Sequence, residues 1–551
     1  MKQKLLHLGL LILSGVLLSL AWPDNNLILG VFIGFVPLLI LEEYWASQRR
    51  PFERSKIFWG SFLAFATWNG CAIWWVWNAS WVGVIASVVV NSLFFAGIFL
   101  LYSRVKKSFG SRFGFLSFVA FWLAWEYVEI IDWDLSWPWL TLGYAFGDYP
   151  WLVQWYEYTG ALGGSFWVLS INYLIFQLIR FRSTEGRWSK RKVRSLALIV
   201  VAPMVSSLIL FFGYTEKGDE VKIAVVQPNI NPYTELFISA DGTARPRMSG
   251  AEQMNTLLHM SDSVIDSTTA FVLFPETALP RSIWEAKINY DPGVLYSKEW
   301  LSQYPRTNLV TGIVYKAMYT PKSGEEIPPD VQGYQGGKFF YKRHNSALHL
   351  SQNDSLQVYH KSRLVIGVER IPSYFVFLQR YLSDFDDDQS ADSYNPNHGV
   401  QEERMVFNNH ATGAKLAPII CYESIFGEFV TDYVKKGANV LGIITNDGWW
   451  GDTPGYHHHF SYARLRAIET RRSVARSANT GTSGFINQKG EVLQASPYWK
   501  PVVLQQELKL NEELTFYVRF GDWIGRIATP VAVMLLINLI VRLIRRKSSV
   551  Y

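Results

Sequence analysis

Apolar positions fall in long unbroken blocks over residues 1–214, then in short runs cut by polar residues over 220–515, before a last long block closes the chain. A helix that spans a bilayer needs about 20 predominantly apolar residues. Seven segments before the polar region meet that requirement, at roughly 5–22, 26–42, 57–78, 81–101, 113–131, 161–179 and 195–214, and an eighth lies at 523–544. Lys2 and Lys4 precede the first block, as in a signal peptide. No small-residue cleavage site follows it, however, and further spans come at once, so it is expected to remain as a helix. The pattern therefore predicts a membrane domain over 1–214, a second domain over 220–515, an eighth span over 523–544 and a tail over 545–551.

Within 220–515 the short apolar runs read as strands, each ending at polar residues. The run 221–226 leads into Gln227-Pro228-Asn229, and 271–274 into Pro275-Glu276. The run 417–420 leads into Cys421-Tyr422-Glu423, and 440–444 into Thr445-Asn446-Asp447-Gly448. Helical patterns at 249–266 and 456–472 lie between them. Strands alternating with helices imply α/β layers, which place reactive groups just beyond strand ends.

Charge then orients the chain. The formal charge of +6 is modest, and the basic residues concentrate between apolar blocks, which points away from a nucleic-acid surface. With the N-terminus cytoplasmic, the inside loops are 43–56, 102–112 and 180–194. They hold Arg49, Arg50, Arg54 and Lys56, then Arg104, Lys106, Lys107 and Arg112, then seven basic residues from Arg180 to Arg194. The long outside loop 132–160 has no Lys or Arg, and Arg545, Arg546 and Lys547 return the tail to the cytoplasm. This is the positive-inside pattern, and seven spans then put 220–515 outside the cytoplasm. Loop 132–160 carries Trp133, Trp137, Trp139, Trp151 and Trp155, with Pro138 and Pro150 interrupting any helix. Such tryptophans usually anchor at the membrane interface; a lipid-facing cradle is the functional alternative. Glu126 and Glu129, near the end of the fifth span, must face a cavity or the interface.

Two cysteines are present, Cys71 in an apolar block and Cys421 in the polar region, so no disulfide is expected between them. Cys71 reads as a small buried hydrophobe. Cys421, at a strand end, is placed to be a nucleophile, but a free thiol near pKa 8.5 is only a few per cent thiolate at neutral pH. It needs a base, which Glu276 could be, and a cation for the oxyanion, which Lys361 could be. On spacing alone a lone cysteine and a charged pair are more often structural than catalytic.

The ordered series Phe274-Pro275-Glu276-Thr277, Tyr359-His360-Lys361 and Ile420-Cys421-Tyr422-Glu423 resembles the Glu–Lys–Cys signature of the nitrilase superfamily. Joined to the spans, the chain resembles the apolipoprotein N-acyltransferase family. Trp137-Pro138-Trp139, Asn345-Ser346-Ala347, Asn446-Asp447-Gly448-Trp449 and Arg519-Phe520-Gly521-Asp522-Trp523 match it as well. The resemblance implies an eight-span membrane domain plus a nitrilase-like αββα sandwich. It implies a ping-pong transfer in which Glu276 deprotonates Cys421, the thiolate takes the sn-1 acyl chain of a phospholipid such as phosphatidylethanolamine, and Lys361 stabilises the oxyanions. The acceptor would be the α-amino group of a diacylglyceryl-cysteine at an apolipoprotein N-terminus. The implied setting is a bacterial inner membrane with a periplasmic catalytic domain and cytoplasmic termini, the protein acting as a monomer with no cofactor and no metal. Glu369 takes the place of the family's second glutamate, Tyr422 and Glu423 are supporting residues, and Trp449, Phe237 and Trp139 are expected to bind substrate. Arg370 stands where the family has an aromatic, and Phe237 is the nearest aromatic to a position where it often has tryptophan. A membrane-tethered amidase acting on a small nitrogen compound is the alternative, because its chemistry is the same as far as the thioester.

Two runs invite a metal and fail on spacing. Asp384, Asp386, Asp387 and Asp388 would begin a calcium loop, but Gln389 replaces its turn glycine and Asn395 its bidentate glutamate. His457, His458 and His459 are adjacent on one helix and cannot share a face, so His459 is expected to serve as a hydrogen-bonding residue near the Trp449 loop.

Overall fold

A computed structural model of the chain describes residues 1–22, 25, 27–48, 53–131, 133–231, 250–322, 324–334, 337–352, 354–372 and 397–548. The chain divides into two compact units, Met1–Tyr214 with Arg519–Tyr551, and Thr215–Val518. Phe237 and the aspartate run 384–388 lie outside the described residues.

The first unit is helical. Among the described residues, seven helices are long and apolar enough to cross a membrane: Lys2–Ser19, Leu29–Ser47, Trp81–Phe109, Arg112–Ile130, Ala161–Glu185, Lys190–Gly213 and Trp523–Arg545. The remaining expected span forms as helix Glu53–Ile73. It falls short of that apolarity because Trp59, Thr67, Trp68 and Asn69 dilute it. It packs between Lys2–Ser19 and Trp81–Phe109, and Phe65, Trp68, Phe95 and Trp122 knit their rings across the helices, Phe95 and Trp122 at 4.9 Å. Cys71 corrects its expectation, for it is exposed. The buried stripe of its helix runs through Ile57, Gly60, Ala64, Trp68 and Ala72, and Cys71 lies off it.

Several buried carboxylates of this unit are paired, as an apolar surrounding demands. Helix Trp81–Phe109 runs past the expected end of its span, so Lys106 sits in a helix rather than a loop, buried against Glu42 and Glu43. Ser103 donates to Glu42 at 2.6 Å. Glu126 and Glu129, both buried, fasten the tryptophan-rich loop. Glu126 accepts from Trp122 Nε1 at 2.9 Å and Leu142 N at 2.8 Å. Glu129 accepts from Trp133 Nε1 at 3.1 Å and Trp137 N at 2.6 Å. The loop runs in short 3-10 turns, Pro138–Leu140, Leu142–Phe146 and Pro150–Leu152, two of them opened by its prolines.

The second unit is an α/β sandwich. Its first seven strands are β1 (Glu220–Gln227), β2 (Thr269–Leu273), β3 (Leu279–Trp284), β4 (Asn308–Tyr319), β5 (Val331–Tyr334), β6 (Phe339–Leu350) and β7 (Gln357–His360). Then follow β8 (Phe407–Asn409), β9 (Ala414–Ile420), β10 (Val440–Thr445), β11 (Ser473–Ala478), β12 (Gly484–Ile486), β13 (Val492–Ala495) and β14 (Val502–Lys509). One sheet runs β14-β1-β2-β4-β6-β5, with β3 on β4 and β7 on β6; the other runs β13-β12-β11-β10-β9-β8. Strands β9, β10 and β11 are parallel and fully buried apart from Lys415, as a sheet covered on both faces requires. Helices Gly250–Asp262 and Pro292–Leu301 cover the first sheet, and Gly427–Lys435 and Pro454–Thr470 the second. The sheets meet face to face, with Ser477 Oγ on β11 donating to Val226 O on β1 at 2.8 Å.

Candidate active site

Four strand ends and one strand interior bring the site together. Glu276 follows β2, Lys361 follows β7, Cys421 follows β9, Asn446 follows β10, and Asn345 lies within β6. Strand β6 pairs with β7 so that Ser346 opposes His360, and Lys361 N donates to Asn345 O at 2.8 Å. Lysine and asparagine are thereby set side by side by sheet register alone.

Lys361, 1 % exposed, holds its ammonium between two carboxylates. It donates to Glu276 Oε1 at 3.2 Å and lies 3.0 and 2.9 Å from the two oxygens of Glu369. Asn345 Nδ2 spans the same two acids, donating to Glu276 Oε1 at 2.6 Å and Glu369 Oε1 at 2.8 Å. The second oxygens are held by backbone: Asn446 N donates to Glu276 Oε2 at 3.1 Å, and Val365 N to Glu369 Oε2 at 2.9 Å. Burial works against the lysine charge, but Glu276 and then Glu369 outweigh it and hold Lys361 well above the ordinary lysine value. Burial likewise opposes the Glu369 carboxylate, and Lys361 brings it below the usual range. Arg370 closes the turn on which Glu369 sits, its N–H donating to Val365 O and its carbonyl accepting from Gly367 N at 2.7 Å.

Cys421 opens the 3-10 turn Cys421–Ile425 with φ of 49°. That left-handed conformation costs a non-glycine residue roughly 1–2 kcal/mol and persists only where its surroundings over-determine it. Thr277, directly after Glu276, is left-handed too, at 56°. Burial first, and then the Glu276 charge, push the Cys421 thiol well above its ordinary value, while Lys361 acts the other way. At neutral pH the thiol therefore keeps its proton, and a base must remove it.

Glu423 ties the lysine arm to the cysteine arm. One of its oxygens accepts from Tyr359 Oη and Ser362 N, both at 2.7 Å; the other accepts from Ile420 N at 2.8 Å and Tyr433 Oη at 3.4 Å. Ser362 follows Lys361 and Ile420 precedes Cys421, so one carboxylate spans the two. Tyr422 is buried, with its ring 5.2 Å from Phe426. Trp449 is half-buried in the turn Asp447–Trp450. Trp139 belongs to the helical unit, where it is buried against Trp75 and Trp137.

Several residues of the site had been noted in the sequence only as motif matches or not at all. Asn345 and Asn446 carried no role there, and Asn479 and Arg476 were not singled out. Asn479 Nδ2 donates to Asn446 Oδ1 at 3.3 Å, behind the backbone that holds Glu276. Arg476 had a readable sign, being a lone charge in the small-residue strand Ser473–Ala478, which requires a buried partner. That partner is Asp447, at 2.8 Å. His459 lies 3.0 Å from Asp447 and 2.9 Å from Ser424 Oγ.

Comparison with known proteins places both parts of the chain. Residues 14–174 match the model of the apolipoprotein N-acyltransferase N-terminal domain, and residues 222–513 that of the carbon-nitrogen hydrolase family. A Chlorobaculum tepidum protein described as an apolipoprotein N-acyltransferase is 30% identical over 542 residues, 96% of each chain. A Thermotoga maritima protein of the same description is 26% identical, over 96% of this chain and 93% of its own. Among solved structures, an amidase of the nitrilase superfamily from Nesterenkonia shares 15% identity at a TM-score of 0.35, over 57% of this chain and 99% of its own. With both its helical unit and its sandwich matched, this chain belongs to the apolipoprotein N-acyltransferase family.

Proposed function

We propose that the protein moves a fatty acyl chain from a phospholipid to the α-amino group of an N-terminal diacylglyceryl-cysteine, through a thioester on Cys421. The observation that carries this is the buried cluster of Glu276, Lys361 and Glu369 beside a cysteine whose thiol is held protonated. Glu276 takes the proton of Cys421 as sulfur attacks the sn-1 ester carbonyl and the C–S bond forms. Lys361 stabilises the oxyanion, being an ammonium that two carboxylates keep charged. Collapse breaks the ester C–O bond, Glu276 returns the proton to the leaving alkoxide, and lysophospholipid departs. The amine then attacks the thioester and gives its proton to Glu276; cysteine leaves as thiolate and is reprotonated. Glu369 balances the second side of the lysine, and Glu423 keeps lysine and cysteine in register.

Relatives described as apolipoprotein N-acyltransferases, matched over nearly the whole chain, support a lipid donor over the small nitrogen compound of an amidase. The distribution of Lys and Arg supports a periplasmic catalytic domain, with both ends of the chain in the cytoplasm of a bacterium's inner membrane. Trp449 and Trp139 remain candidates for substrate contact.

The test is transfer itself. Purified protein in phosphatidylethanolamine nanodiscs is given a synthetic diacylglyceryl-cysteine peptide. The peptide should gain one acyl mass with equimolar lysophospholipid, and Glu276→Gln and Lys361→Met should abolish the gain. Consumption of phospholipid with an unmodified peptide would contradict transfer and favour hydrolysis.

A further inference from the structure

The left-handed turn at Cys421 is held from both sides. Before it, Ile420 N donates to Glu423. After it, the Cys421 carbonyl accepts from Ser424 Oγ at 2.8 Å and from His459 Nε2 at 3.1 Å. A carbonyl oxygen only accepts, so this contact is a hydrogen bond in the tautomer that carries its proton on Nε2. Its Nδ1 lies 3.0 Å from Asp447 Oδ1 and 3.0 Å from an Arg476 guanidinium nitrogen, and that nitrogen donates to Asp447 Oδ2 at 2.8 Å. Thr445, beside the Cys421 thiol, donates to Asp447 Oδ1 at 3.0 Å. The carbonyl of Cys421 thus leads back through His459 to the carboxylate that also holds Thr445.

All three charged or ring groups of this network are buried, and the backbone closes over them. Gly481 sits at φ of 105°, and a Cβ there would meet Asp447 Cβ at 2.7 Å and Oδ2 at 2.8 Å. The peptide joining Cys421 to Tyr422 is trans and planar, so its N–H points opposite to its carbonyl. Whatever fixes the carbonyl also fixes the direction of the Tyr422 N–H and limits where the sulfur can swing.

We propose that Asp447 and His459, anchored by Arg476, are positioning residues for Cys421: they lock the peptide that follows the nucleophile and so aim the thiol at the acyl carbonyl. This rests on the reading of Cys421 as the acyl carrier. A purely structural network would be felt in stability alone, whereas an aiming network is felt in the acylation step.

The experiment follows acyl-Cys421 formation by intact mass in a single turnover, with the full chain in detergent and phosphatidylethanolamine as donor. His459→Ala should slow acylation on the order of 100-fold, as small misplacements of reacting groups do. The phospholipid concentration for half-maximal rate should stay within about twofold. His459→Gln, which restores an N–H donor, should recover most of the rate while its melting temperature matches that of His459→Ala. Acylation of His459→Ala at the wild-type rate would overturn the proposal, as would a glutamine variant that stays as slow as alanine. If His459→Ala does not fold, Asp447→Asn carries the same test, a slowed rate supporting the proposal and an unchanged rate overturning it. A wild-type protein that forms no adduct would overturn the Cys421 reading and this proposal together; a normal wild type with unaffected variants would overturn this proposal alone.

Discussion

A single carboxylate shows how much of this site depends on fully used hydrogen-bonding groups. Glu423 accepts from two backbone N–H groups and two tyrosines, and it offers no donor to any of them. Replacing it with glutamine keeps the size but turns an NH2 toward donors. Glu423→Gln should therefore cost roughly 1–3 kcal/mol, read as a lower melting temperature, and should slow acylation because Ser362 and Ile420 lose their common anchor. An unchanged melting temperature would show that the bracket is not stressed. At this scale the sequence was only partly legible. Glu276 and Cys421 could be picked out because ionisable groups at strand ends are conspicuous, Lys361 because a thiolate and an oxyanion call for a cation, and Glu369 only by resemblance to the family's second glutamate. Asn345, which donates to both acids, sits inside a strand where neither periodicity nor charge marks it. Of the three consecutive histidines, His459 was expected to hydrogen-bond near the Trp449 loop, as it does to Asp447, but its contact with the Cys421 carbonyl depends on how helix Pro454–Thr470 lies on its sheet.

Among the elements, the parallel strands β2, β9 and β10 and the antiparallel pair β6 and β7 carry the site, and their closeness sets the tolerance for change. Strand β4 passes directly under the turn after β2: Gly312 N donates to Pro275 O at 3.1 Å. A Cβ at Gly312 would meet Glu276 Cα and Pro275 O, both at 2.6 Å, as well as Thr277 N. All of these are backbone atoms and cannot rotate away. Gly312→Ala should thus displace Glu276, lowering acylation by on the order of 10²-fold and destabilising by about 1–3 kcal/mol; full activity in a rate assay would contradict the close approach. The strands 221–226, 271–274, 417–420 and 440–444 were readable because short apolar runs ended at turn chemistry. Span 57–78 was readable as a helix, yet Trp59, Thr67, Trp68 and Asn69 make it the least apolar. Its flank also misled, since the exposed Cys71 depends on which helices pack beside it. The end of span 81–101 was misjudged for a related reason: Lys106 looks like a loop residue until Glu42 and Glu43 are seen to pair with it inside the bundle.

For the molecule as a whole, buried histidines predict a pH dependence. Burial lowers His349 and His398 to about 4, and His360 and His458 to about 3. The folded chain keeps them neutral where the unfolded chain, near 6.5, takes up protons. Their contribution to stability is thus complete above about pH 6.5 and is lost as pH falls toward 4 and 3, by roughly 1 kcal/mol per histidine for each pH unit. The sandwich should melt markedly lower at pH 5 than at pH 7, followed by intrinsic fluorescence of the full chain in detergent; a flat profile would contradict neutral burial. The two-part organisation was legible because a bilayer and a water-exposed sandwich ask for different apolar periods. The central claim, that Cys421 carries the acyl chain, has one direct measurement. Protein incubated with phosphatidylethanolamine is weighed intact: the wild type should show a hydroxylamine-labile gain of one acyl group that Cys421→Ala lacks. An unshifted wild-type mass, with transfer to the peptide surviving Cys421→Ala, would contradict it.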